Sequence, residues 1–236
     1  MNQFPSRTGA IDASFSSETT RKFLLNVYNW MAMGLAITGV IAYGVAGSEF
    51  SYKLATSPFL YFGLFIVQIA IVFGLSAAIN RIPSGVAIGA FFLYSALTGL
   101  TFSILFMVFT GASIASTFLI CAGMFAGVSV FGYVTKMDLS KFGTYLFMAL
   151  IGIILASVVN IFLTSPMMNW IISIVGVLVF TGLTAYDTQK IKQMSQTTDF
   201  DSEQGKKAAV IGALALYLDF INLFMFLLNL LGSRRD

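Results

Sequence analysis

Seven runs of apolar residues divide the chain, at about 24–46, 57–79, 85–110, 112–134, 142–164, 168–189 and 208–231. Each is close to the ~20 residues a helix needs to cross a hydrocarbon core of ~30 Å. Backbone groups in lipid find no water to bond, so each run has to satisfy its own N–H and C=O groups and is expected to be helical. Ten-residue segments of alternating polarity, the mark of a membrane β-barrel, are absent from the sequence. Composition agrees: of 236 residues 58% are hydrophobic and 10% charged, with a mean hydropathy of +0.88. Soluble domains carry about 25% charged residues. The fold class expected is therefore an all-α membrane protein with seven transmembrane helices in one domain, residues 24–232. A polar, Ser/Thr-rich tail at 1–23 precedes it and a short tail at 233–236 ends it. The first tail is read as disordered up to "SSETTRKF", where a helical turn begins. It makes a poor signal peptide, because the apolar run after it is of full spanning length.

Basic residues orient the bundle. Arg7, Arg21, Lys22, Arg81, Lys136, Lys141, Lys190, Lys192, Lys206 and Lys207 fall in the tail and alternate loops on one side, whereas the other side has Lys53, Arg234 and Arg235. The positive-inside rule puts the N-terminus in the cytoplasm and the C-terminus outside. The alternation also requires an odd number of spans.

Absences narrow the chemistry. There is no histidine, so His-ligated metals, Ser-His or Cys-His catalysis and a histidine pH switch are excluded. Cys121, the one cysteine, leaves no internal disulfide and reads as a small apolar helix residue. Helices in lipid gain no hydrophobic drive from pairing and pack through small residues. Ser95, Gly99 and Ser103 on the third run, and Gly123 and Gly127 on the fourth, are expected to serve that purpose.

Against this background two acids stand out, Asp187 in "GLTAYDTQK" and Asp219 in "ALYLDFINLF". Asp219 lies ~16 Å into the last run, near the midplane. A charged aspartate there costs roughly 2.5–3.5 kcal/mol on insertion scales, so it needs a partner, water or a proton. Gly212, Ala215, Asn222 and Asn229 are read as continuing its face as a small and polar stripe. Asp187 sits near the cytoplasmic end of the sixth run, with Thr184 one turn before it. By the same topology Arg81, in "INRIPSG", lies at that end and within reach of Asp187. Two carboxylates meeting in low dielectric cannot both ionise cheaply and titrate as a pair. Such a pair responds to pH without histidine, and its deprotonated form offers oxygens to a hard cation. The residues themselves fit Ca²⁺, H⁺ or Na⁺ alike. Asp138 in "TKMDLS" reads as a helix N-cap in a loop.

Four ordered blocks, "YSALTGLTFSILF" (94–106), "FGYVTKMDLSKFG" (131–143), "LTAYDTQKI" (183–191) and "ALYLDFINLF" (215–224), resemble the transmembrane Bax inhibitor motif, or Bax inhibitor-1, family over about residues 20–232. The absence of further domains resembles a bacterial member of the inner membrane. The resemblance implies six helices around a central seventh and a pH-sensitive calcium leak. The family's paired aspartates correspond to Asp187 and Asp219, as pH sensor, gate and transient calcium ligands. Its basic latch corresponds to Arg81 by position more than by motif. An acidic residue earlier in the family's second helix corresponds to Gln68. Gln68, Thr184, Asn222 and Asn229 are accordingly candidate pore-lining residues. Some family members lack the aspartates; this chain has both.

The partners expected are the lipid bilayer, protons and calcium as transported ion, with no cofactor and no nucleic acid. Two other function classes compete. One is a regulatory or chaperone-like membrane protein without transport. The other is an intramembrane aspartyl protease, since a dyad sharing a proton activates water. Leu216-Tyr217-Leu218 stands where that enzyme family has a Gly-rich approach, and its Pro-Ala-Leu element is missing. No enzymatic activity is therefore expected. A retinal-binding receptor is disfavoured because no lysine lies within a span to form a Schiff base.

Overall fold

Small hydroxylic residues set most of the helix starts. Ser48, Ser57, Thr110, Ser165 and Ser202 each accept a bond from a backbone N–H three residues on, and Pro58 and Pro166 directly follow two of these caps. A hydroxyl at N-cap satisfies an N–H that the helix leaves orphaned, and proline at N1 loses no bond. The computed structural model describes residues 7–235, with side chains from residue 18. Its elements are α1 Arg7–Val45, α2 Glu49–Thr56, α3 Pro58–Ala78, α4 Ser84–Phe102, α5 Leu105–Val108, α6 Gly111–Val134, α7 Ser140–Leu163, α8 Pro166–Thr197 and α9 Glu203–Leu231. No strand occurs among the described residues. Seven helical stretches are long and apolar enough to cross a membrane.

Three boundaries differ from the sequence reading. The segment 7–23 is helical and continuous with the first span, and Phe23 is fully buried, so no structural break falls at 23/24. Residues 1–6 of the expected tail lie outside the described residues. The third run is interrupted after Phe102, where Ser103 turns its hydroxyl onto the Leu100 carbonyl at 2.7 Å. α8 runs to Thr197, well past the apolar stretch. Extending an existing helix adds one bond per residue fixed, whereas starting one is costly, so helices outrun their hydrophobic signal into polar sequence.

The last helix is the most buried span, with Leu216, Tyr217, Leu223 and Leu228 fully enclosed. It packs on α8, α1, α6 and α4. α3 packs on α2 and α4, and α7 on α8. A polar knot fixes α9 to the first and fourth helices. The Tyr217 hydroxyl meets Thr38 Oγ1 at 2.6 Å, and its ring stands edge-on to Phe91 and Tyr94. At the other end, the segment after α9 docks on the α5–α6 joint: Thr110 N–H donates to the Ser233 carbonyl at 3.1 Å and Arg235 N–H to the Val108 carbonyl at 2.9 Å.

Close helix approach does use small residues, but not all of those expected. Ser95 and Ser103 are buried, and a Cβ on Gly99 would fall 2.8 Å from the Thr38 carbonyl oxygen. Gly123 and Gly127 instead face outward with open space around them. The α6 glycine that matters is Gly132, where a Cβ would meet the Ala185 backbone, two residues before Asp187. A backbone neighbour cannot yield as a side chain does. We expect Gly132→Val to cost about 1–3 kcal/mol or more, read as a clear fall in the detergent melting temperature. Gly123→Ala should leave it unchanged or raise it slightly, since alanine favours the helix by up to about 1 kcal/mol.

Candidate functional site

Asp187 on α8 and Asp219 on α9 belong to the two spans that pack most extensively on each other. Asp219 is 4% exposed, and Asp187 is half-buried. Their carboxyl groups come close enough to interact side chain to side chain. Both oxygens of an ionised carboxylate only accept, so a bond between the two requires a proton on one. Asp219 Oδ2 is buried without a hydrogen-bond partner. The extension of α8 to Thr197 places Asp187 about three turns before the helix end.

Both carboxyls line a cleft of about 1090 Å³ bounded by α3, α7, α8 and α9. Its walls are mostly apolar, from Phe62 and Phe65 to Phe147, Leu150 and Phe226, with Tyr61, Thr144, Ser157, Tyr186 and Asn222 as the polar exceptions among uncharged residues. Asn222 is thus where its pattern placed it, though its amide bonds back to the Leu218 carbonyl at 2.8 Å. Ala215 lines the cleft as well.

Five other candidates are elsewhere. Gln68 is buried against α4, donating to Thr101 Oγ1 at 2.6 Å and to the Leu97 carbonyl at 3.2 Å, so it ties two helices together rather than lining the cleft. Thr184 is fully enclosed and bonds the Phe180 carbonyl at 2.7 Å. Asn229 is exposed. Ten residues at 100° each return it to about 80° from the Asp219 direction, off the stripe. Gly212 packs against Ile191 and Val27, in protein rather than in a wet face. Arg81 is exposed and makes no ion pair among the described residues, so the structure does not bring it to Asp187.

The cation that acts on Asp187 is Lys190, one turn further along the same helix. Lys190 lines the cleft and lies 5.9 Å from the centre of the Tyr186 ring. Sequence reasoning counted it only as a loop charge, although its i+3 spacing from Asp187 was a legible signal. Gly143 makes room for the same tyrosine, since a Cβ there would fall 2.6 Å from its ring.

The α6–α7 loop is clamped to this region. Gln189 accepts from Leu139 N–H and donates to the Met137 carbonyl, both at 2.8 Å, and Lys192 donates to the Tyr133 carbonyl at 2.7 Å. Asp138 accepts from Ser140 N–H at 3.0 Å, which holds its carboxyl below the ordinary range. It is one residue before the assigned cap, Leu139, and so makes an Asx-type turn into α7 rather than the cap itself. Glu203, at the start of α9, clasps the start of α4, accepting from Ser84 N–H at 2.5 Å and from its hydroxyl at 2.8 Å.

The family model described as "Inhibitor of apoptosis-promoting Bax1" matches residues 20–236. The inner membrane protein YbhL of Escherichia coli K12 is 48% identical over 237 residues, covering the whole of both chains. A Borreliella burgdorferi protein is 47% identical over 91% of this chain and 93% of its own. A Deinococcus radiodurans protein is 42% identical over 93% of each. With the family match spanning residues 20–236 and the Escherichia coli relative alike over its full length, this chain belongs to the Bax inhibitor-1 family of membrane proteins.

Proposed function

We propose that this protein is a pH-sensitive cation leak of the bacterial inner membrane, with calcium as the transported ion. One observation supports the reading: the Asp187 and Asp219 carboxyls meet in a cleft bounded by spanning helices, and one buried Asp219 oxygen has no hydrogen-bond partner. A carboxyl pair that shares a proton blocks its own cation site. Once the proton leaves, the same oxygens form a hard, anionic seat suited to Ca²⁺. Proton occupancy and cation passage then compete for one pair of groups, and pH sets the outcome. Lys190 lowers the net charge of the seat, which favours brief occupancy over tight binding, as conduction requires. Arg81 enters this mechanism as a latch only in a conformation that carries it towards Asp187.

The inner-membrane location rests on the name of the Escherichia coli relative and on seven apolar spans. The orientation proposed, N-terminus in the cytoplasm and C-terminus outside, rests on the basic residues. A reporter active only outside the cytoplasm, fused after Asp236, should be active; activity only of a cytoplasmic reporter would reverse the topology.

Calcium flux into proteoliposomes, followed against pH, tests the mechanism. Wild type should show a pH-dependent flux, and Asp219→Asn and Asp187→Asn should each flatten the profile. An unchanged profile in both would defeat the assignment. Wild-type protein that carries no cation at any pH would favour a regulatory or chaperone-like role, and cleavage of a reporter helix that is lost on Asp219→Ala would revive the protease reading. Lys190→Met should shift the profile, whereas Arg81→Met should alter it only if a latched state is populated.

A further inference from the structure

The cleft has a side that the bundle leaves open. α3 and α7 both wall it, yet they make no extensive packing on one another. Tyr61, Phe62 and Phe65 on α3 and Phe147, Ile154 and Val158 on α7 line the cleft, and each is more than a third exposed. Both helices are apolar enough to span a membrane. The gap between them therefore faces acyl chains and leads sideways from lipid to the carboxyl pair.

Two demands define what fits there. The way in is aromatic and aliphatic, so the body of the ligand must be hydrophobic. The inner end holds Asp187 and a 4%-exposed Asp219 with an unpartnered oxygen, so the head must be positive. Lys190, the other charged residue of the lining, is exposed beside the Tyr186 ring, a single cation facing two carboxyls. A neutral lipid tail would leave the carboxyls unpaired and an anionic amphiphile would be repelled. Ring faces along the route attract cations that carry little hydration. The volume, about 1090 Å³, lies just above the ~300–1,000 Å³ typical of small-molecule sites.

We propose that the slot between α3 and α7 admits a hydrophobic organic cation from the bilayer, a lipophilic amine or phosphonium, and seats its charge on the Asp187–Asp219 pair. The site shares its carboxyls with the leak but requires no transport.

Equilibrium binding of radiolabelled tetraphenylphosphonium to the full chain in detergent, without calcium, tests it. Wild type should bind it saturably, and tetraphenylborate, the anion of the same shape, should not displace it. Asp219→Asn should weaken binding about tenfold or more, and Phe147→Ala less; Val130→Ala, on the outer face of α6, should bind as wild type. Failure of folded wild type to bind saturably, equal competition by tetraphenylborate, or wild-type affinity in Asp219→Asn overturns the proposal. If Asp219→Asn does not fold, Asp187→Asn takes its place, and the comparison of the two ions on wild type decides without any variant. Binding without calcium flux in the same preparation would sink the leak alone, and flux without binding would sink this inference alone.

Discussion

A carboxyl group held out of water in a membrane bundle is the constraint around which this structure is arranged. Asp219 is enclosed on a span, and one of its oxygens has no hydrogen-bond partner. Enclosing such a group costs several kcal/mol unless it is neutral or paired. Lipid is as apolar as leucine, so the hydrophobic effect does not offset this cost. What holds α9 in place is close packing: Leu216, Leu223 and Leu228 leave no surface free, and Tyr217 adds a bond to Thr38 within a cluster of rings. Dispersion contacts are individually weak, but a fully enclosed side chain makes dozens of them.

The two sides of α9 are consequently unlike. Tyr217 and Asp219 are two residues apart, about 200° around the helix. The tyrosine looks towards α1 and α4, where the helices interlock; the aspartate looks towards α8 and the cleft. α3 and α7 bound that cleft from the outside, and among the spans each packs on only one other, α4 or α8. Gln68 bonds α3 to α4, and Gln189 bonds the α6–α7 loop to α8. The braces of the outer helices therefore lie behind the cleft and not across it, which is why the gap between α3 and α7 persists.

Most of this was legible in one dimension. Apolar length gave seven spans, because the requirement for internal backbone bonding admits no other structure of that hydrophobicity. The two aspartates stood out because charge is rare in such runs. Positional periodicity then worked over one turn and failed over three: Ala215 and Asn222 share the cleft with Asp219, whereas Asn229 has rotated away. A polar residue in a span also has two uses that look alike in sequence. Gln68 and Thr184 satisfy neighbouring carbonyls and stay dry, and only their partners reveal it. The small residues divide in the same way, since Gly132 meets a backbone while Gly123 and Gly127 meet nothing. The gap between α3 and α7 left no sequence signal, because their outward residues are as apolar as lipid-facing residues are anywhere.

Lys190 and Arg81 show how the surroundings of the pair divide into fixed and variable parts. Lys190 is carried by the same rigid helix as Asp187, so its separation from that carboxyl changes only by rotamer. Its charge is a constant background to whatever the pair binds. Arg81 follows the end of α3, the span least joined to the rest, so its distance from the pair depends on where α3 lies. A cation that is always present tunes affinity, whereas one that arrives and leaves with a helix changes state. In the present arrangement the slot beside α3 is open and Arg81 stands free of the acids. The two features agree: the helix that would deliver the arginine is also a wall of the opening, and a single displacement of α3 would alter both together.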